Sequence, residues 1–181
     1  RVACTVDADF KLHGTKKFVA DAGIAELFVV SVLHCDAPAL AVVKCEQLGG
    51  GAIRPHTLID ETKRSASVDF SGVTVDSTNL ITGENVSSAL RDIALLGALL
   101  TAAEATGTAG ACLDTVVEYL KTRKQFGKLI GSYQALKHPT VEMLTSNDSA
   151  RSFLYHAATL VSDDSLDRDA ELACRMAKAQ A

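Results

Sequence analysis

A long apolar stretch after Gly83 constrains the fold of this chain more than any other feature. The stretch reads "SSALRDIALLGALLTAAEATGTAGACLDTVVEYLKTR", and its apolar residues recur at helical spacing with almost no turn-forming residues between them. Ala and Leu, which have high helix propensity, fill many of its positions. The pattern predicts a single helix of about nine turns, which is too long for a small domain on its own.

Three glycines interrupt this predicted helix, at Gly97, Gly107 and Gly110. In an exposed helix each glycine would cost about 1 kcal/mol relative to alanine. We therefore expect these positions to pack closely against a neighbouring helix, where the missing side chain lets two backbones approach each other.

Two further helices are predicted downstream. Helical spacing continues from about residue 132 to 161, until "SDDSLD" breaks the pattern. Ser165 is the expected N-cap of a third helix that starts near Leu166, because a serine side chain accepts hydrogen bonds from the first free amides of a helix. Asp167 and Asp169 would then lie in the first turn and complement the helix dipole. Together the helices form a bundle or part of one.

The N-terminal half has a different pattern. From Val2 to about Ile81, short runs rich in Val, Phe and Thr are separated by Gly, Pro and Asp, which is typical of strands and turns. The segment "DFKLHGTKKFVADAG" is predicted to form a hairpin, and "AELFVVSV", "ALAVVKCE" and "SASVDFSGVTV" are predicted to be further strands. The fold class is therefore α+β, with a small antiparallel β-barrel or sandwich over residues 1–82 and a long-helix bundle over residues 83–181.

Composition is that of an ordinary globular protein and narrows the range of partners. Of 181 residues, 48% are hydrophobic and 22% are charged, and the net charge is −4. A negative balance argues against a general nucleic-acid binder, which needs a dominant basic face. No run reaches the roughly 18 uninterrupted apolar residues of a membrane span, so we expect no span. Because the chain as a whole is negatively charged, a site for an anionic ligand would have to lie in a short basic segment.

The five cysteines are widely scattered, with no Cys-x-x-Cys pair and no histidine at zinc spacing. We expect them to be reduced, buried and structural, which points to a cytoplasmic protein without a metal site. The first residue is not Met, and the last lies within Ala-rich helical sequence. We therefore expect the chain to be part of a longer protein, so that both predicted domains are incomplete.

A basic segment over residues 119–138, "YLKTRKQFGKLIGSYQALKH", joins the first two predicted helices and places five cations in an otherwise acidic chain. On one interpretation, Arg123 and Lys124 end the first helix and offset its dipole. On the other, Arg123 binds a pyrophosphate, Phe126 faces an aromatic ring and Gln134 contacts a heterocycle or phosphate, so that together they hold a dinucleotide. Residue chemistry alone leaves both interpretations open.

The basic segment resembles the Arg-x-Gln-Phe-Gly segment of the acyl-CoA dehydrogenase family, which is followed at matching spacing by a Gln in the next helix. Near the N-terminus, "LHGTKKFVADAGIAELFVV" is similar to the family's Asn-Gly-x-Lys-x-Trp-Ile-Thr-Asn-Gly-x-x-Ala region. Between them, "LIDETKRSASVDFSGVTV" resembles its Asp-x-x-Arg-x-x-x-Val-x-Phe-x-x-Val-x-Val stretch. The order and spacing of the three segments agree along essentially the whole chain.

This resemblance implies a flavoprotein. Members of the family form tetramers with one FAD per active site, and they remove two hydrogens from the α and β carbons of an acyl-CoA thioester. By resemblance, Arg123, Gln125, Phe126 and Gln134 bind the adenosine-pyrophosphate end of an FAD held mainly by a neighbouring subunit. The implied partners are an acyl-CoA substrate, an electron-transfer flavoprotein or similar acceptor, and further subunits in a homotetramer or hetero-oligomer.

Two positions depart from the family near the expected flavin ring. Phe18 stands where the family commonly has Trp, and it keeps an aromatic wall. Ala20 stands where the family has a Thr whose hydroxyl can bond the flavin, so only backbone contact is left at this position. Both are expected flavin contacts by resemblance, but the ring end of the site is less complete than the adenosine end.

The sequence assigns no catalytic base. Residues 95–98, Leu-Leu-Gly-Ala, lack the carboxylate that some family members carry in this helix, and the commoner catalytic Glu of the family lies beyond the segment equivalent to Ala181. Glu104 and Glu118 stand at no family position and are expected to be structural or surface carboxylates. The five histidines form no visible pair with a Ser or Cys nucleophile.

Three functions are compatible with the sequence. The first is a catalytic acyl-CoA dehydrogenase subunit acting in fatty acid or lipid metabolism. The second is a non-catalytic partner subunit of a hetero-oligomeric member that supplies part of an FAD site, and the substitutions at Phe18, Ala20 and Gly97 favour it. The third is a non-enzymatic scaffold or interaction protein of the same fold, against which the basic segment argues.

Overall fold

The computed structural model describes residues 4–161 and 166–181. The chain divides into two compact units, Arg1–Leu90 and Arg91–Ala181. Two β-sheets build the first unit and long helices dominate the second, so the predicted α+β class is confirmed. The first helix begins in the first unit and continues into the second, which places the division inside this helix rather than at residue 82.

The described part of the first unit has eight strands in two sheets: β1 (Cys4–Val6), β2 (Leu12–His13), β3 (Thr15–Ala20), β4 (Leu27–His34), β5 (Ala37–Lys44), β6 (Ile53–Pro55), β7 (Ser65–Asp69) and β8 (Leu80–Ile81). One sheet has the order β2-β1-β4-β5-β8 and the other the order β3-β7-β6. Strands β1 and β4 pair in parallel, and the other pairs are antiparallel. Both sheets are open, so the unit is sandwich-like rather than a closed barrel.

Side-chain alternation explains why these runs form strands. In β4, Phe28 and Val30 are buried, whereas Leu27 and Val29 are exposed. Because successive side chains of a strand point to opposite faces, β4 has one core face and one open face. The Phe28 ring contacts the buried Phe70 ring edge-on, with centroids 5.7 Å apart, and this pair anchors the core of the unit.

The hairpin predicted for "DFKLHGTKKFVADAG" is wrong. Its two halves are β2 and β3, which belong to different sheets. Only Gly14 separates them, which is too short for the two-residue turn of a tight hairpin, and its φ of 120° redirects the chain from one sheet to the other. The three other predicted strands are confirmed as β4, β5 and β7.

The helices are α1 (Asn85–Thr122), α2 (Gln134–Val161) and α3 (Arg168–Gln180). The first two agree with the predicted spans, whereas α3 begins later than predicted. Its N-cap is Asp167, whose carboxylate accepts hydrogen bonds from the amides of Asp169 and Ala170. Ser165, the predicted N-cap, lies outside the described residues.

Helix packing within the chain explains only one of the three glycines of α1. A Cβ on Gly110 would lie 3.3 Å from the Asn147 Nδ2 atom of α2. Among the described residues, no atom lies within 4 Å of a Cβ on Gly97 or Gly107. Within the described chain, the predicted close packing against a neighbouring helix is therefore found only at Gly110, and for Gly97 and Gly107 it stays a prediction.

All five cysteines are free. Cys4 and Cys174 are buried, and burial raises the pKa of both thiols. Cys45 is half-buried, while Cys35 and Cys112 are exposed. The expectation of buried cysteines is therefore wrong for Cys35 and Cys112.

By length and composition alone, α1 could cross a membrane, and only 17% of its most apolar window is buried within the chain. The sequence predicts no span, because its uninterrupted apolar runs are short. A helix that packs in the core of a soluble protein passes the same test, so length and composition do not decide between the two environments.

Candidate functional site

The basic segment folds into a tight hairpin between α1 and α2. Strand β9 (Lys124–Gln125) pairs antiparallel with β10 (Lys128–Leu129), and Phe126 and Gly127 form the turn between them. Both turn residues have positive φ, 53° and 75°, as a two-residue type I′ turn requires. The turn of this hairpin therefore has a defined conformation.

Phe126 is the exposed tip of the hairpin. Its side chain is 91% exposed, and its ring meets Tyr133 edge-on with centroids 6.4 Å apart. The Tyr133 hydroxyl donates to the Gln125 carbonyl at 3.2 Å, which ties the start of α2 to β9. A bulky residue at positive φ is a conformational outlier, and such strain concentrates at functional sites. The arrangement offers an aromatic face to a ligand or to another subunit.

Arg123 and Gln134 flank the hairpin. The Arg123 amide donates to the Tyr119 carbonyl at 2.9 Å, its side chain is exposed, and no described carboxylate pairs with its guanidinium. Gln134 is the first residue of α2, and its Nε2 atom lies 2.6 Å from the His138 Nε2 atom. The four predicted residues of the basic segment thus lie within one turn region between two helices.

The helix-dipole interpretation explains these cations only in part. Helix α1 ends at Thr122, and the basic residue of its last turn is Lys121, which also pairs with Glu118 at 2.8 Å. Arg123 lies just beyond the helix, and the exposed Lys124 lies in β9 rather than in the last turn. Lys121 is therefore the residue placed to offset the dipole, and Arg123 is available for another role.

A close backbone contact fixes the hairpin relative to α1. A Cβ on Gly131, which follows β10, would lie 2.8 Å from the Leu120 carbonyl oxygen and 3.2 Å from the Leu120 Cβ atom. Real side chains do not approach backbone that closely, so only glycine fits without a shift. The Ile130 amide reinforces the contact by donating to the Arg123 carbonyl at 2.9 Å.

A mostly apolar groove of about 520 Å³ lies beside this contact, between the end of α1 and the start of α2. It is lined by Val117, Leu120, Lys121, Leu129, Gly131, Ser132, Lys137, Thr140 and Val141. Most of these lining residues are aliphatic or small, and the groove adjoins the Gly131 contact that holds the hairpin.

Phe18 and Ala20 lie on β3 in the first unit. Phe18 has φ 57° and is 76% exposed, at an irregularity in the β3–β7 pairing between Lys16 and Val19. Ala20 is exposed and pairs with Ser65. Phe18 is thus a second exposed phenylalanine in a strained backbone conformation, at a position that the resemblance assigns to the flavin.

His56 contacts two serines of β7. Its Nε2 atom lies 2.8 Å from the Ser67 Oγ atom and its Nδ1 atom 3.4 Å from the Ser65 Oγ atom. The ring also meets the Phe18 ring edge-on at 5.2 Å. With both ring nitrogens held by serines, His56 supports Phe18 structurally. No local sequence pattern predicts this contact, because it joins the end of β6 to β7 and β3.

Comparison with known proteins identifies the family. The sequence profile described as "Acyl-CoA dehydrogenase, C-terminal domain" matches residues 91–181. The chain belongs to the acyl-CoA dehydrogenase family. It is 31% identical to the mitochondrial short/branched chain specific acyl-CoA dehydrogenase of Bos taurus over 158 residues. The aligned region covers 83% of this chain and 36% of the bovine protein. The chain therefore spans about a third of that relative's length.

Solved structures of similar proteins show the same fold. Butyryl-CoA dehydrogenase from Megasphaera elsdenii superposes with a TM-score of 0.80 at 23% identity, covering 99% of this chain and 49% of that one. A chain of the ChsE4-ChsE5 complex from Mycobacterium tuberculosis gives a TM-score of 0.78 at 22% identity, covering 99% and 47%. The superpositions show that this chain has the same fold as these two proteins.

No described residue of this acyl-CoA dehydrogenase family member stands out as a catalytic base. Leu95 is 3% exposed and Leu96 is 40% exposed, and neither they nor Gly97 and Ala98 carry a carboxylate. Glu118 is exposed and paired with a lysine, as expected of a surface carboxylate. Within residues 4–161 and 166–181, no group of three or more His, Cys, Asp or Glu side chains is arranged to hold a metal ion.

Proposed function

We propose that this chain is part of a subunit of an FAD-dependent acyl-CoA dehydrogenase, which converts an acyl-CoA thioester to the enoyl-CoA by α,β-dehydrogenation. The observation that carries the proposal is the clustering of Arg123, Phe126 and Gln134 around one strained hairpin in a member of this family. FAD, when bound, would supply the hydride acceptor of this reaction.

The residues of the hairpin fit the adenosine-pyrophosphate end of FAD. Arg123 presents an exposed guanidinium with no described carboxylate partner, and a planar guanidinium suits a pyrophosphate. Phe126 presents an aromatic face, and Gln134 presents an amide at the start of α2. Gln125 contributes its carbonyl to hold Tyr133, which makes it a positioning residue in this proposal.

The first unit would contribute to the flavin ring end. Phe18 offers an exposed aromatic wall, and its contact with His56 limits the freedom of its ring. Ala20 has no side-chain donor, so only its backbone is available to a flavin. This end of the site therefore depends on other groups of the full protein for polar contacts.

We extend the proposal to partners and compartment. An acyl-CoA is the substrate, and a second electron carrier such as an electron-transfer flavoprotein reoxidises the flavin. Assembly into a tetramer would bring the hairpin of one subunit to a cofactor held mainly by its neighbour. Five free cysteines, two of them exposed, suit the reducing cytoplasm.

A second candidate is a partner subunit that shares FAD but lacks its own catalytic equipment. The absence of a side-chain donor at Ala20 and of a carboxylate over residues 95–98 favours it. A fold likeness to a chain of the ChsE4-ChsE5 complex shows that this architecture occurs in complexes of two named components. The two candidates share the Arg123 site and differ in whether the homo-oligomer oxidises substrate.

The Arg123→Ala variant of the full-length protein tests the site. Loss of a charge-assisted, bidentate contact is worth roughly 1.5–3 kcal/mol, so FAD affinity should fall about 10- to 150-fold. Thermal unfolding of the apo protein should change little, because the side chain is exposed. Lys128→Ala removes a neighbouring exposed charge with no assigned ligand and serves as the matched control.

Equal FAD affinity in the wild type, Arg123→Ala and Lys128→Ala proteins would refute the site. Anaerobic addition of acyl-CoA then separates the two candidates. Bleaching of the flavin bands by the protein alone supports a catalytic subunit, whereas bleaching only after a second component is added supports the partner subunit.

A further inference from the structure

One polar residue interrupts the buried face of α1. Leu95, Ala102 and Leu113 of this face are 3%, 1% and 9% exposed, and Thr106 lies among them at 3%. Ala102 lies four residues before Thr106, and Leu113 lies seven residues after it. This spacing places all of these residues on one side of the helix. Among the described residues, Thr106 is the one polar or charged residue that is buried.

The Thr106 hydroxyl behaves differently from its neighbours. The structure describes α1 and α2 in full. In these helices, the hydroxyl of every other threonine donates a hydrogen bond to the carbonyl four residues earlier. Thr101 donates to Gly97 at 2.7 Å, for example, and Thr108 donates to Glu104 at 2.8 Å. The Thr106 Oγ1 atom is buried and has no such partner within the described chain. A buried hydroxyl that does not donate to a carbonyl of its own helix needs another hydrogen-bond partner.

A second unpartnered polar atom lies on the facing helix. The Asn147 Oδ1 atom of α2 is buried and lacks a hydrogen-bond partner among the described residues. Thr106 and Asn147 line the same cleft of about 280 Å³ between α1 and α2, beside Gly107 and Gly110. The missing side chains of these glycines leave the cleft room for a ligand.

We infer that this cleft is a hydration site in which bound water accepts a hydrogen bond from the Thr106 hydroxyl and donates one to Asn147 Oδ1. Water offers an acceptor and a donor at once, a bound water needs two to four polar partners, and the cleft has room for it. An apolar ligand would leave both atoms unsatisfied, and a simple anion has no proton to donate to Asn147. The water joins α1 to α2 through a polar layer in an otherwise apolar interface.

Arg151 and Tyr155 complete the lining of the cleft. A side-chain hydrogen bond with Tyr155 raises the pKa of Arg151, so this guanidinium already has a partner. Arg151 does not donate to Asn147 Oδ1, which has no partner among the described residues, so the inner pair is left to the water.

A crystal structure of the full chain, at a resolution that shows ordered water, tests the inference directly. We expect a water peak within about 2.6–3.2 Å of both Thr106 Oγ1 and Asn147 Oδ1. A direct hydrogen bond between the two side chains, a side chain of another subunit in the cleft, or an empty cleft would overturn it.

Amide exchange of the full chain gives an independent test in solution. Thr106→Val and Asn147→Leu should each raise exchange rates in the α1 and α2 segments around the cleft by about 5- to 150-fold, because each leaves a buried polar group without its bridge. The double variant expels the water and should raise the rates by less than the product of the single effects. Thr101→Val, at an exposed and locally bonded position, should change them by less than about 2-fold. A bridging water would be contradicted if either single variant changed the exchange rates as little as Thr101→Val does. It would also be contradicted if the double variant changed the rates by the full product of the two single effects.

Discussion

The backbone of Phe126 is strained at a position where a turn would prefer asparagine. A type I′ turn needs positive φ at both central residues, which favours Asn-Gly over Phe-Gly. The side chain is almost fully exposed, so burial in the chain does not explain why phenylalanine is present. Strain that local packing does not offset is a sign of selection for a contact outside the chain.

Phe126→Asn should therefore stabilise the hairpin while weakening cofactor binding. Relief of the positive-φ penalty is worth about 1 kcal/mol in the free energy of unfolding. Loss of the aromatic contact, worth about 0.5–1.5 kcal/mol, should weaken FAD binding about 2- to 12-fold. Chemical unfolding of the apo protein and FAD titration measure the two quantities separately.

Phe126→Leu is the control for this prediction, because it removes the ring and keeps the strain. It should weaken FAD binding to a similar extent without raising stability. If Phe126→Asn leaves FAD affinity unchanged, the ring does not contact the cofactor and its exposure needs another explanation.

The resemblance predicted cofactor-binding roles for Arg123, Phe126 and Gln134, but not their conformations. The structure places the three residues around one turn, and their roles stay predictions. One of the two interpretations of the sequence placed Arg123 and Lys124 at the end of a helix, whereas a short hairpin begins at Lys124 instead. Phe-Gly is a weak signal for a type I′ turn, because the preferred residues are Asn, Asp and Gly.

At the scale of elements, Gly131 holds the hairpin against the end of α1. Gly131→Ala should force the segment after β10 away from the Leu120 backbone, because the new Cβ would lie 2.8 Å from a carbonyl oxygen that cannot move freely. Overpacking of this kind costs about 1–3 kcal/mol in the free energy of unfolding. If the hairpin binds FAD, its displacement should weaken FAD binding as well.

Gly49→Ala provides the matched control, because a Cβ at that glycine meets no described atom within 4 Å and its φ is not positive. We expect it to change stability by less than about 1 kcal/mol and to leave FAD affinity unchanged. Thermal unfolding of the three apo proteins checks the prediction. Equal melting temperatures for Gly131→Ala and the wild type would show that the loop relaxes without cost.

Local sequence patterns predicted which segments form helices and strands, but not how the strands pair. The 3.6-residue pattern located α1 and α2, and short runs rich in Val, Phe and Thr between turn residues located β4, β5 and β7. Pairing depends on partners distant in sequence, so the parallel contact of β1 with β4 and the separation of β2 from β3 had no local signal. The polar pair Thr106 and Asn147 was missed for the same reason, since each looks ordinary within its own helix.

At the scale of the molecule, α1 carries an apolar stripe that the chain leaves uncovered. Ile93, Leu96 and Leu100 are 61%, 40% and 70% exposed, and their spacing places them on one face of the helix together with Gly97. Gly97 also has open space where a Cβ would be. Apolar exposure on this scale indicates a protein or membrane contact, and the family relationship favours other subunits.

Leu100→Lys should therefore weaken assembly of the full-length protein. The change removes an apolar contact worth roughly 2 kcal/mol for each copy and places a charge in the interface, so the dissociation constant should rise at least about 30-fold. Light scattering over a range of concentrations should show a tetramer for the wild type and smaller species for the variant. Ser146→Lys adds the same charge at an exposed polar position of α2 and should leave the mass unchanged. A wild-type monomer, or a variant that stays tetrameric at every concentration, would show that the stripe faces something other than a second copy, and a detergent requirement for solubility would point to a membrane.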